Sequence, residues 1–195
     1  AYVKGHRVYP FPSEVLSAFM LPLNEVMVVM IGQVPYPGWD KKLNRPVACG
    51  KSFATLSNDC PASLQNIIVS IQASIGDVTF CDTEHQYSLK GWIDQGVLLL
   101  NNTPVYYVPP TTEEVHQPVP AKDLWEGVTR LICQHILEVN PTCKFVLVGN
   151  EAHKLEPKLG TCIKLGHPSS RNVNNEKSFN AALLQSIPGI DWTRL

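Results

Sequence analysis

The sequence predicts an α/β fold, a central four-stranded, mainly parallel sheet flanked by helices in three layers. Three observations lead there. Four short apolar runs, EVMVVMIGQ (25–33), GVLLLNN (96–102), KFVLVGN (144–150) and CIKLGHP (162–168), are rich in aliphatic and β-branched residues, as strands covered on both faces are. Between them lie segments of helical periodicity, and alternating strands and helices build a parallel sheet. Each run also ends in polar or loop-forming residues (Gln33, Asn101, Asn150 and His167) at the carboxyl edge, where open α/β sheets bind ligands.

The helices follow in order. PSEVLSAFM (12–20) opens with a cap-like Ser13. PASLQNIIVSIQASIG (61–76) places apolar residues at 64, 67, 68, 71 and 75, a helical stripe with Gly76 as its stop. PAKDLWEGVTRLICQHILEVN (120–140) gathers Leu124, Val128, Leu131, Ile132, Cys133 and Ile136 on one broad face. EAHKLEPKL (151–159) reads as a short helix broken by Pro157, and NNEKSFNAALLQSI (174–187) as a final helix with Phe179, Leu183 and Leu184 inward. The proline-rich stretch 103–119 reads as an irregular surface loop or binding lid.

Bulk properties narrow the class. The chain has 195 residues, so residues 1–195 are expected to form a single domain with a real core. Hydrophobic residues make up 44% and charged residues 17%, which excludes a disordered chain. No apolar run reaches the ~18 residues of a membrane span, and no signal peptide is visible. The six cysteines form no CxxC pair and no zinc-finger spacing, so they read as thiols of a reducing, intracellular compartment. No metal or cofactor is expected. A net charge of −1 argues against a broadly basic nucleic-acid coat but leaves room for a local basic face. GxGxxG and P-loop patterns are absent, which disfavours a nucleotide-dependent α/β enzyme.

Three segments should converge on one rim: Gln33–Gly38, Asn101–Asn102 and the GHPSSR loop (166–171). The first of these, GQVPYPG (32–38), is a rigid turn with Val34 at its centre, a residue that neither donates, accepts nor ionises.

Taken together the motifs resemble the uracil-DNA glycosylase superfamily, closest to the family-1 enzymes, over almost the whole chain. GQVPYPG stands where that family has its water-activating loop, G-Q-D-P-Y-H-G; CGKSFA (49–54) matches the segment with the base-stacking phenylalanine. CPASLQNI (60–67) matches the proline- and serine-rich loop, LKGWIDQGVLLLN (89–101) the strand leading to the base-reading asparagine, and GHPSSR the H-P-S loop. The resemblance implies a uracil-DNA glycosylase-like fold and a DNA repair hydrolase that rotates a base out of the stack and excises it. Gln33, Tyr36, Phe53 and Asn101 would bind the base: Phe53 by stacking, Asn101 through its amide, Tyr36 by excluding the thymine methyl. His167 would hold the uracil O2 as charge develops on the leaving base. Ser63, Ser169, Ser170 and Arg171 would hold the DNA, with Lys41, Lys42, Arg45 and Lys51 adding charge beside the first loop.

The departure is Val34, where family 1 has the aspartate that orients water and stabilises the positive sugar. Asp40, later in the same loop, and Asn102, beside the base reader, are the candidate substitutes. Two functions follow: a glycosylase with weakened or rerouted water activation, or a catalytically impaired DNA-binding, replication-accessory or decoy protein. The expected partners are DNA and, in the second case, replication proteins or a proteinaceous glycosylase inhibitor; no membrane is expected.

Overall fold

The structure, a computed structural model, describes residues 7–108, 122–159, 162–169 and 178–195. It opens with β1 (Arg7–Tyr9) and three short 3-10 turns (Pro12–Glu14, Ser17–Met20 and Leu23–Glu25). Next come β2 (Val28–Gly32), a small antiparallel pair β3 (Trp39–Asp40) and β4 (Arg45–Pro46), and helix α1 (Ala62–Ser74). Then follow α2 (Lys90–Ile93), β5 (Val97–Asn101), β6 (Tyr106–Val108), α3 (Lys122–Val139) and β7 (Lys144–Val148). Two short helices, α4 (Asn150–His153) and α5 (Glu156–Leu159), lead to β8 (Ile163–Leu165), and a 3-10 turn spans Ala181–Ser186.

The four predicted runs form one sheet in the order β5-β2-β7-β8, with every pairing parallel. Their side chains divide between two cores by strand alternation. Val28, Met30, Leu99, Val146 and Val148 pack with Leu64, Ile67 and Ile71 of α1, and with Trp92 and Trp192. Val29, Ile31, Leu98, Leu100, Phe145 and Leu147 pack with Cys133 and Ile136 of α3 and with Ala152. Both faces are therefore covered, which is why the runs are apolar throughout.

The periphery departs from expectation. Residues 12–20 form two 3-10 turns instead of one helix, and the first is capped at Phe11 without a side-chain hydrogen bond, so Ser13 is no cap. Leu124 and Leu131 are exposed on α3, while Thr129, Cys133 and Ile136 are buried. The buried face is narrower than the broad one expected, and it contains a threonine whose hydroxyl donates to the Asn102 carbonyl at 2.9 Å. The described part of the final predicted helix is a 3-10 turn with Leu183 exposed, although Phe179 and Leu184 are buried as expected. In 103–119, Tyr106–Val108 is a strand, paired antiparallel with Arg7–Tyr9; the rest of the expected lid, 109–119, lies outside the described residues. No helix among the described residues is long and apolar enough to cross a membrane.

Candidate active site

The site follows from strand register. Gly32, the last residue of β2, pairs with Asn101, the last of β5, so the two chains leave the sheet side by side. The pairing continues past the strands: Asn102 N–H donates to Gly32 O and Thr103 N–H to Gln33 O, both at 3.0 Å. At the other edge β7 and β8 end together, and His167 follows β8 by two residues.

These ends enclose a cavity of about 370 Å³ lined by Gln33, Val34, Pro35, Tyr36, Pro37, Lys51, Ser52, Phe53, Ser63, Asn101 and His167. Of the base-binding candidates, Gln33, Tyr36, Phe53 and Asn101 all stand here, together with His167 and Ser63. The size suits a single flat base, and the lining combines aromatic faces with a few polar groups. Ser169 is described and half-buried beyond His167, whereas Ser170 and Arg171 lie outside the described residues.

Several contacts make the walls rigid. Tyr36 Oη donates to the Phe53 carbonyl at 2.9 Å, joining the first loop to the aromatic segment. Burial pushes the Tyr36 phenol strongly up, so it remains a donor at all ordinary pH. Phe53 itself adopts a left-handed backbone, φ 63°, a strained conformation for an aromatic residue. The Tyr36 bond and the Ser52 N–H to Leu99 carbonyl bond (3.1 Å) hold it there. Tyr36→Phe is expected to lower unfolding stability by about 1 kcal/mol, read by urea titration, because it strips a partner from a buried carbonyl. An unchanged midpoint would mean that this bond does not brace the loop.

Gly32 has no room for a side chain: a Cβ there would overlap Ser52 Oγ and reach 3.0 Å from Phe53 Cζ. The histidine side is set by Gly149, where a Cβ would stand 3.2 Å from both Cβ and Cδ2 of His167. Burial lowers the His167 pKa below its ordinary value, so the ring is neutral at pH 7. Its loop is tied to α1 by Asn66 Nδ2, which donates to the Pro168 carbonyl at 3.0 Å. The roles of Gly149, Ser52 and Asn66 were not read from the sequence. Only the glycine carried a signal, as a strand-end residue in FVLVGN.

The two residues expected, from the resemblance, to stand in for an aspartate at position 34 are placed elsewhere. Asp40 Oδ1 accepts from the backbone N–H groups of Lys42 (2.8 Å) and Leu43 (3.0 Å), and Oδ2 accepts from Ser57 Oγ at 2.5 Å. Those bonds, Ser57 first, hold its pKa below the ordinary aspartate value, and the carboxylate stitches its own turn to residue 57. It lines a neighbouring cavity and not the one around Phe53. Asn102 is buried with its backbone in the β2–β5 pairing and does not line the cavity.

Asp40→Ala is accordingly expected to lower the thermal midpoint at pH 7. The deficit relative to wild type should hold above the ordinary aspartate pKa and shrink as pH falls through the lowered, folded value. Midpoints measured across that range check it; a deficit independent of pH would mean that the charge contributes nothing.

Among the described residues no carboxylate lines the cavity, and no group of three or more His, Cys, Asp or Glu is arranged to hold a metal.

Comparison with known proteins gives a consistent picture. A family model described as the uracil DNA glycosylase superfamily matches residues 20–187. The uracil-DNA glycosylase of Mycolicibacterium vanbaalenii is 34% identical over 200 residues, which cover 96% of this chain and 82% of that protein. That of Ralstonia nicotianae is 32% identical over 212 residues, 100% of this chain and 76% of that protein. Among solved structures, mimivirus uracil-DNA glycosylase superposes with a TM-score of 0.69 at 27% identity; the match covers 87% of this chain and 60% of that one. A mimivirus UNG variant in complex with UGI shares the fold, with a TM-score of 0.77 at 24% identity over 97% of this chain.

Proposed function

The chain belongs to the uracil DNA glycosylase superfamily, and from that premise we propose that it binds a flipped uracil in DNA and hydrolyses its N-glycosidic bond slowly, as a family-1-like enzyme lacking the water-activating carboxylate. The observation that carries this reading is the gathering of Tyr36, Phe53, Asn101 and His167 around one base-sized cavity, with Ser63 at its wall. Phe53 stacks on the base, Asn101 bonds its edge, and Tyr36 closes the wall against a C5 methyl. Neutral His167 donates to O2 as the N1–C1′ bond breaks and its electron pair passes to the base. Water then adds to C1′, and its proton passes to the departing uracil anion, leaving neutral uracil and an abasic sugar. Ser63 and Ser169 hold the flanking phosphates. This is the base-excision step that opens repair of uracil in DNA.

Val34 sits in the cavity wall and is 39% exposed, at the position where family 1 places its aspartate. Water near C1′ therefore meets a methyl group, and the catalytic and positioning parts of the site are separated. Losing a positioned acid or base costs ~10²–10⁴ in rate, so slow turnover is the expected consequence. The same observation favours a second reading, in which the protein binds uracil-containing DNA without cutting it and serves as an accessory or decoy, with replication proteins or a proteinaceous inhibitor as partners.

The test is single-turnover incubation with single-stranded DNA bearing one uracil, followed by alkaline cleavage of abasic sites. Slow product formation that responds to uracil and not to thymine supports the first reading. Tight, uracil-selective binding with no product at large enzyme excess supports the second. Absence of uracil-selective binding and of product overturns both.

A further inference from the structure

A second cavity, of about 550 Å³, shares the loop that walls the base pocket. It is lined by Tyr36, Pro37, Gly38, Trp39, Lys41, Lys42 and Pro61, with Asp40, Ser57, Asp59 and Cys60 among its remaining neighbours. Tyr36 and Pro37 line both cavities, and Pro61 of the second stands two residues before Ser63 of the first. The two cavities are thus neighbours along the same loop.

The second cavity has what a nucleotide needs. Trp39 is 37% exposed although its ring belongs to a cluster: its centroid lies 5.9 Å from that of Tyr9 and 6.2 Å from that of Phe11, edge-on to the latter. A partly exposed tryptophan held in an aromatic cluster offers surface for stacking. The lining carries two cations, Lys41 and Lys42, and two carboxylates, Asp40 and Asp59, while the Arg45–Glu14 pair lies outside it. Arg45 pairs with Glu14 at 2.5 Å, and Lys42 stands 3.5 Å from Asp59. The Asp40 carboxylate is taken up by Ser57 and two backbone N–H groups. Lys41, on the turn that Asp40 stitches, has no ion pair among the described residues and stands at the cavity wall.

We infer that this cavity is a second nucleotide subsite for single-stranded DNA, in which Trp39 stacks on a base two or more nucleotides away from the flipped one and Lys41 holds its phosphate. The subsite rests on the glycosylase reading of the first cavity, since it takes the strand whose uracil enters there. It gives a protein of nearly neutral net charge a way to grip a strand by stacking, which does not need a basic surface. It also implies that affinity grows with the length of single strand beside the uracil.

The test compares a trinucleotide and a nonanucleotide, each with a central uracil or a central thymine, by fluorescence anisotropy on the full chain. Wild type should bind the uracil nonanucleotide at least ~10-fold tighter than the uracil trinucleotide. Trp39→Ala should remove most of that gain without changing trinucleotide affinity. Trp39→Phe should restore it, and Lys41→Ala should remove part of it and flatten its salt dependence. Tryptophan fluorescence should be quenched by the nonanucleotide in wild type and not in Trp39→Phe. A folded Trp39→Ala protein that prefers uracil and keeps the full length dependence overturns the subsite alone. Trinucleotide binding that does not distinguish uracil from thymine overturns the glycosylase reading and the subsite with it.

Discussion

Val34→Asp is expected to release uracil from DNA ~10²–10⁴-fold faster than wild type in single turnover, a gain of roughly 3–5.5 kcal/mol in transition-state stabilisation. Val34 is partly exposed in the cavity wall, so an aspartate there keeps access to water and carries no large desolvation cost. The side chains are close in size, and the loop is held by Pro35, Pro37 and the Tyr36–Phe53 bond whatever residue stands between. The new carboxylate would orient the attacking water and face positive charge that exists only as the glycosidic bond breaks. An interaction confined to the transition state raises the rate of the step and not the affinity for substrate. Affinity for DNA carrying a non-cleavable uracil analogue should therefore change by less than threefold while the rate rises by decades. A gain below tenfold would mean that the rest of the pocket is not competent for excision.

That separation of shape from chemistry was partly legible in the sequence. The four strands were readable because both their faces are buried, and the loop motifs were readable because Tyr36, Phe53, Asn101 and His167 keep their neighbours. What escaped the sequence depends on long-range geometry. On α3, Leu124 and Leu131 were placed on one broad face with Cys133 and Ile136, but the buried face is narrower and takes in Thr129, whose hydroxyl satisfies a carbonyl beyond β5. Tyr106–Val108 looked irregular beside its prolines, yet a two-stranded pairing with β1 tolerates prolines at its ends. Asp40 was near enough in sequence to stand in for an aspartate at position 34, but local hydrogen bonds claim both its oxygens. No periodicity reports that Phe53 is left-handed or that Asn66 holds the His167 loop.

In the Val34→Asp background, His167→Ala is expected to slow uracil release by ~10²–10³, the usual loss when one preorganised donor to a developing anion is removed. Gly149→Ala should approach the same loss while leaving the histidine in the chain. Gly149 has φ 88° and ψ 162°, a region that side-chain-bearing residues essentially do not occupy, and entering it costs about 1–3 kcal/mol. Its N–H donates to the Leu165 carbonyl at 2.9 Å, so the backbone cannot relax without breaking the alignment of β7 with β8. The added methyl must instead push on His167, 3.2 Å away. Because both changes act through one ring, the double variant should be little slower than His167→Ala alone, where independent effects would multiply. Imidazole titration separates displacement from general damage. Burial holds the His167 pKa down in the wild-type protein; in Gly149→Ala with Val34 in place, a ring pushed toward solvent should titrate nearer the ordinary histidine value. The stability that neutral His167 contributes is fully present above that ordinary value and is lost as pH falls through the lowered one, so Gly149→Ala should also narrow the loss between those two points. If Gly149→Ala instead matched its parent in rate with an unshifted His167 titration, the glycine would have no part in aiming the histidine.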